Sequence, residues 1–113
     1  MNSAKYEIAV IGGTGALGFG LGLRWARAGH HIIIGSRAQD SADRAVERMR
    51  GLLPEARVSG LENGPAAAAA EIVVLTVPFS NQAPMLAAVH DGSQGKILVD
   101  VTVPLQPPKV RTV

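Results

Sequence analysis

The sequence predicts a single α/β domain built on a doubly wound parallel sheet, and three observations predict it. Short runs rich in β-branched residues alternate with segments of helical spacing along the chain. The connections between them are short, which favours right-handed crossovers and helices on both faces of the sheet. Between the first such run and the first helical segment stands Gly12-Gly13-Thr14-Gly15-Ala16-Leu17-Gly18. Glycine costs a helix about 0.5–1 kcal/mol relative to alanine, so a segment this rich in it asks for a reason.

The elements follow in order. Residues 6–11 have the composition of a buried parallel strand. Leu17, Leu21, Leu23, Trp25 and Ala28 fit a helix that ends at Gly29, in the C-terminal capping role. His31 to Gly35 reads as a second strand. Asp40 or Ser41 is placed to cap a helix through Leu53, with Ala42, Ala45, Val46 and Met49 at helical spacing, and Pro54 stops it. Residues 56–61 read as a short third strand and 65–70, a proline followed by five alanines, as a helix. The clearest strand covers 71–78. A helix over 82–90, with Ser80, Asn81 and Gln82 as candidates for its cap, and a strand over 96–104 complete the order β-α-β-α-β-α-β-α-β. Residues 1–104 are thus expected to form one Rossmann-like domain, followed by an irregular tail over 105–113 that carries adjacent prolines.

Composition narrows the function classes. Hydrophobic residues make up 47% of the chain and charged residues 18%, a globular balance with a core that must be mainly aliphatic. Arg24, Arg27, Arg37, Arg44, Arg48, Arg50 and Arg57 are scattered along the sequence, and the net charge is only +2, so no nucleic-acid partner is expected. There is no cysteine, which excludes disulfides and thiol chemistry and fits a reducing compartment. His30 and His31 are adjacent and point apart in either kind of element, while His90 lies far along the chain, so no metal site is expected. No apolar stretch is long enough to span a bilayer, and the N-terminus carries no signal peptide, which makes a cytoplasmic protein without membrane attachment the expectation.

Gly13-Thr14-Gly15-Ala16-Leu17-Gly18 matches G-x-G-x-x-G, and the match gains weight from its place between a strand and a helix. In that pattern Gly13 permits the tight turn out of the strand, and Gly15 lets the backbone approach a pyrophosphate. Gly18 allows the helix to pack close to the sheet. Gly20 and Gly22 are extra, and a packing role suits them better than a cofactor role. At the end of the second strand NAD-binding folds place an acidic residue for the ribose 2′-hydroxyl. Here Gly35-Ser36-Arg37 occupies that place, and a hydroxyl beside a guanidinium suits a 2′-phosphate. The expected cofactor is therefore NADP(H). Ligands of doubly wound sheets sit at the carboxyl ends of strands, which adds Thr76, Val77, Pro78 and Phe79 and the segment from Asp100 to Pro104. Asp100, inside an apolar strand, is either a structural partner of the backbone or close to the site.

The segment from Ile8 to Arg37 closely resembles the N-terminal half of the NADPH-dependent coenzyme F420 reductases. The glycine loop, Ala28-Gly29-His30, Gly35-Ser36-Arg37 and the run from Val73 to Phe79 carry the resemblance, which extends from Tyr6 to about Pro104. It implies hydride exchange between NADPH and the deazaflavin coenzyme F420. It also implies NADP contacts at Thr14, Gly15, Ala16 and Leu17, at Ser36 and Arg37, and around Thr76, Val77 and Pro78. Some members carry a lysine a few residues past the Ser-Arg pair, where this chain has Ser41. Members of the family continue for about as many residues again into a smaller domain, and the tail after Pro104 is expected to lead towards a domain absent here.

Hydride transfer asks the protein for position and exclusion of water rather than for acid–base side chains, and no catalytic residue is nominated. Two alternatives remain at this level. One is a non-catalytic NADP-binding module or subunit, unable to turn over alone. The other is a relative of the short-chain dehydrogenases, whose G-x-x-G-x-x-G spacing Gly12, Gly15 and Gly18 also satisfy. Those enzymes use a Tyr-x-x-x-Lys pair, and the only tyrosine, Tyr6, is followed four residues later by Val10. An exposed sheet edge makes a homodimer the expected association.

Overall fold

The computed structural model describes residues 5–76 and 95–101. Five parallel strands lie in the order β3-β2-β1-β4-β5: β1 (Glu7–Ile11), β2 (His31–Ser36), β3 (Val58–Glu62), β4 (Ile72–Leu75) and β5 (Ile97–Asp100). Helices α1 (Ala16–Arg27), α2 (Gln39–Leu52) and α3 (Asn63–Ala69) connect the first four. The chain starts in the centre, runs outward through β2 and β3, then crosses back to β4 on the other side of β1. That reversal makes a doubly wound sheet with its switch point between β1 and β4, as the element order predicted.

Alternation along the central strands sorts their side chains onto two faces, because successive residues point to opposite sides of a sheet. Ile8, Val10, Ile32, Ile34 and Val74 face α1 and α2, where they pack with Phe19, Ala26, Val46 and Met49. Ala9, Ile11, Ile33, Val73 and Leu75 face α3 and meet Ala66, Ala67 and Ala70. The alanine-rich α3 thus lies close to its face of the sheet, and the larger residues fill the other layer.

Helix ends explain most differences from the sequence reading. α1 ends in a Schellman motif: Gly29 has φ +101°, its N–H donates to Ala26 O at 2.9 Å, and His30 N–H donates to Trp25 O at 3.1 Å. α2 begins before the expected cap. Ala38 is its N-terminal boundary and no side chain caps it, so Asp40 falls within the first turn and Ser41 inside the helix. The earlier start is held by Gln39, whose Nε2 donates to Gly60 O at 2.8 Å and to Asp43 Oδ1 at 2.9 Å. β3 runs to Glu62 and α3 starts at Asn63, with Pro65 in the first turn. β4 stops at Leu75, short of the expected 78. The helix expected over 82–90, the last part of the 96–104 strand and the 105–113 tail lie outside the described residues.

The glycines of α1 differ in what they meet. A Cβ on Gly22 would come within 3.3 Å of Ile32 Cγ2 and Met49 Cε, whereas one on Gly20 would meet nothing within 4 Å. Gly18 is the most confined: a Cβ would stand 2.6 Å from Thr76 Oγ1 and 2.8 Å from Gly12 O. Gly18→Val should therefore cost about 2 kcal/mol or more by overpacking. Gly20→Ala should stabilise the fold by roughly 0.4–1 kcal/mol through helix propensity and a less flexible unfolded chain. Chemical denaturation of the two variants beside the wild-type chain measures both.

Candidate functional site

Parallel register brings three strand ends to one edge. Ile11, the last residue of β1, lies opposite Gly35 of β2 on one side and Leu75 of β4 on the other. The next residues of each strand therefore emerge together: the glycine loop from β1, Ser36 and Arg37 from β2, and Thr76 from β4. The loop is tied into this edge by its backbone. Gly12 and Gly13 N–H both donate to Gly35 O at 3.1 Å, and Gly13 N–H also reaches Val10 O at 3.1 Å. The left-handed residue of the turn is Gly12, with φ +79°, one position earlier than the expected Gly13. Gly13 is needed for space, since a Cβ there would lie 2.9 Å from Val10 O and 3.0 Å from Ile34 Cγ2.

Gly15 differs from its neighbours. Its φ of −78° is open to any residue, and a Cβ would meet only Gly12 O at 3.6 Å, an ordinary contact. Gly15 is also the N-cap of α1, a position where a serine or aspartate side chain would satisfy a free N–H. Here no side chain caps the helix and its first turn carries no acidic residue. The first turn of a helix leaves N–H groups pointing outward, at the positive end of the dipole. Thr14, Gly15, Ala16 and Leu17 are all exposed along this stretch.

The other expected site residues behave in different ways. Ser36 is buried at the end of β2, its hydroxyl accepting from Ala38 N–H at 3.5 Å, and Arg37 is exposed beside it. Thr76 is buried, and its hydroxyl donates to Ile11 O at 2.7 Å while its N–H donates to the same carbonyl at 3.0 Å. That side chain locks β4 to β1 under the loop. Val77 and Pro78 lie outside the described residues.

One grouping was missed. Thr14 on the loop faces α2 across a cavity of about 230 Å³ whose other lining residues are Ser41, Arg44, Ala45 and Arg48. Arginines that look scattered in the sequence are thus gathered, and the signal was present: Arg44 and Arg48 are four residues apart on a predicted helix, hence on one face.

His30 and His31 lie at the opposite end of the sheet. His30 stacks on Tyr6 with ring centroids 5.6 Å apart, while His31 Nε2 lies 2.9 Å from Ser59 Oγ and its Nδ1 3.7 Å from Glu7 Oε2. Among the described residues no group of three His, Asp or Glu could hold a metal ion, and no helix is long and apolar enough to cross a membrane.

A reversed strand order, a glycine turn at the switch point and an uncapped helix start define the architecture of a dinucleotide-binding domain. Residues 7–104 match the family described as NADP oxidoreductase, coenzyme F420-dependent, and the chain belongs to that family. It is 46% identical over 101 residues to an F420-dependent NADP reductase of Methanothermobacter thermautotrophicus, covering 88% of this chain and 44% of the relative. It is 39% identical over 103 residues to the reductase of the same name from Methanocaldococcus jannaschii, covering 88% and 46%. The fold also matches the crystal structure of a putative F420-dependent NADP reductase from Arthrobacter sp. FB24. That match has a TM-score of 0.74 and 32% identity and covers 91% of this chain and 48% of that one. The chain thus spans about half the length of these relatives.

Packing sets an expectation for the loop. Gly15→Ala should leave the fold within about 1 kcal/mol of wild type, the scale of an N-cap change without a clash. Gly13→Ala should cost about 1–3 kcal/mol through collision with Val10 O. Thermal unfolding of each checks the contrast.

Proposed function

We propose that this chain is the NADP(H)-binding domain of an oxidoreductase that moves a hydride between NADPH and the deazaflavin coenzyme F420. The observation that carries the reading is Gly15. Neither its backbone angles nor its packing requires glycine, so its missing side chain leaves open the face of an uncapped helix N-terminus. A pyrophosphate fits that demand: it needs close backbone approach, free N–H donors and the positive end of a helix dipole. The names of the family and of its relatives supply the second substrate.

In this reading Gly13, Thr14, Gly15, Ala16 and Leu17 hold the pyrophosphate, and Ser36 and Arg37 receive the adenosine 2′-phosphate. Thr76, with Val77 and Pro78 next to it in sequence, is assigned to the nicotinamide side of the switch point. With the Thr76 hydroxyl committed to Ile11 O, its contribution is to hold β1 and β4 in register, leaving backbone groups to face the ligand. The bound dinucleotide supplies the hydride chemistry at its nicotinamide ring, and the chain contributes position and a fixed array of donors. Lack of cysteine accords with a reducing, cytoplasmic setting. The exposed Ile97, Leu98 and Val99 of β5 support association as a homodimer.

Calorimetric titration with NADPH and NADH tests the cofactor reading. NADPH should bind at least about tenfold more tightly, a gap near 1.4 kcal/mol, and Arg37→Ala should remove most of it. Equal affinity for the two would overturn NADP specificity. Adding F420 to the NADPH complex and following deazaflavin absorbance then separates hydride transfer from a module that only binds the dinucleotide.

A further inference from the structure

The cavity between the glycine loop and α2 has a chemistry of its own. Thr14 and Ser41 bring hydroxyls to it, and Arg44 and Arg48 bring guanidinium groups. Arg44 is already oriented: its Nη2 donates to Ser41 Oγ at 3.2 Å, across one helical turn. Arg48 is also held, its Cζ 4.3 Å from the centroid of the Phe19 ring on α1. Two like charges four residues apart on a helix repel one another. Asp40, Asp43 and Glu47 share α2, yet among the described residues neither arginine forms an ion pair with a carboxylate. The volume, about 230 Å³, is several times the roughly 30 Å³ share of one water in the liquid. This is a cleft with positive charge, two hydroxyls and, among the described residues, no counter-ion, and it opens directly beside Thr14 of the loop.

We infer that Arg44 is a second cation for the adenosine 2′-phosphate, in addition to Arg37, and that Thr14 and Ser41 complete the clamp. Arg48, fixed on Phe19, adds positive potential behind it. The inference rests on the NADP reading above and names a residue which that reading does not contain. Arg37 rises from the end of β2 and Arg44 from the second turn of α2, with the short β2–α2 connection between them. A phosphate bound beside Thr14 meets Arg44 in the same cavity, and Arg37 follows β2 at this end of the sheet. A guanidinium is suited to the role because its planar fork can give two parallel hydrogen bonds to phosphate oxygens.

Titration of the chain with NADPH, NADH, adenosine 2′,5′-bisphosphate and ADP, repeated on Arg44→Ala, Arg44→Lys and Arg37→Ala, tests this. Arg44 is exposed, so the variants should keep the wild-type unfolding midpoint. Arg44→Ala should weaken NADPH and the bisphosphate about tenfold, the scale of one charge-assisted contact, and leave NADH and ADP within about twofold. Arg44→Lys should recover part of the loss. If Arg44→Ala weakens all four ligands alike, the residue serves the adenosine 5′-phosphate that all four share, and the inference fails. It fails by itself if NADPH preference survives Arg44→Ala but not Arg37→Ala. Should the wild-type chain bind NADPH no more tightly than NADH, the NADP reading fails first and this inference with it.

Discussion

The close approach of α1 to the sheet at Gly18 is the constraint on which the rest of the site depends. Thr76 Oγ1, Gly12 O and Gly13 Cα all lie where a side chain on Gly18 would begin, each within 3 Å of that position. The helix start can stand this close to β1 and β4 only because the residue is glycine. Thr76 in turn donates both its hydroxyl and its N–H to Ile11 O, so the strand ends that flank the switch point cannot drift apart. Removing that closeness would lift the N-terminus of α1 off the edge and carry the glycine turn with it.

Within this frame the loop glycines divide their tasks by position. Gly12 accommodates a left-handed turn, Gly13 makes room for Val10 and Ile34, and Gly18 makes room for Thr76. All three answer to the protein itself. Among the described residues nothing requires Gly15 to be glycine, since a Cβ there would meet only Gly12 O at an ordinary distance. A position that is structurally free, at a helix start with no capping side chain, is where a ligand's requirements show through those of the fold.

Much of this was legible in the sequence because its signals are local. The strand runs of β1, β2 and β4 and the Gly29 cap of α1 depend on neighbours along the chain, and so does the strand–glycine–helix order. What could not be read depended on contacts across the fold. The start of α2 was displaced because Gln39 reaches Gly60 on β3, a contact no capping rule contains. Thr76 looked like a residue for the ligand, and only the parallel register with Ile11 shows that its hydroxyl is spent inside the sheet. The left-handed residue is Gly12, while Gly13 is needed for packing against Val10 and Ile34. Arg44 and Arg48 seemed two among many arginines until α2 lay against the loop.

The last of these bears on how the two halves of the site differ electrostatically. At the start of α1 attraction for an anion comes from backbone dipoles, which are fixed in place and uncharged overall. On α2 it comes from exposed guanidinium groups that pair with no carboxylate among the described residues. An i,i+4 pair of like charges destabilises a helix by about 0.2–0.5 kcal/mol, and the attraction of both cations to a bound anion offsets that repulsion. The cost is carried by the empty chain and recovered only with a ligand bearing charge at that place. Exposed charges are screened by salt over about 8–10 Å at physiological ionic strength, whereas dipoles packed against a ligand are affected much less. In the proposed reading, the loop supplies affinity common to all dinucleotides. In the same reading the α2 face supplies discrimination for a phosphorylated one, and that discrimination should decline as salt rises.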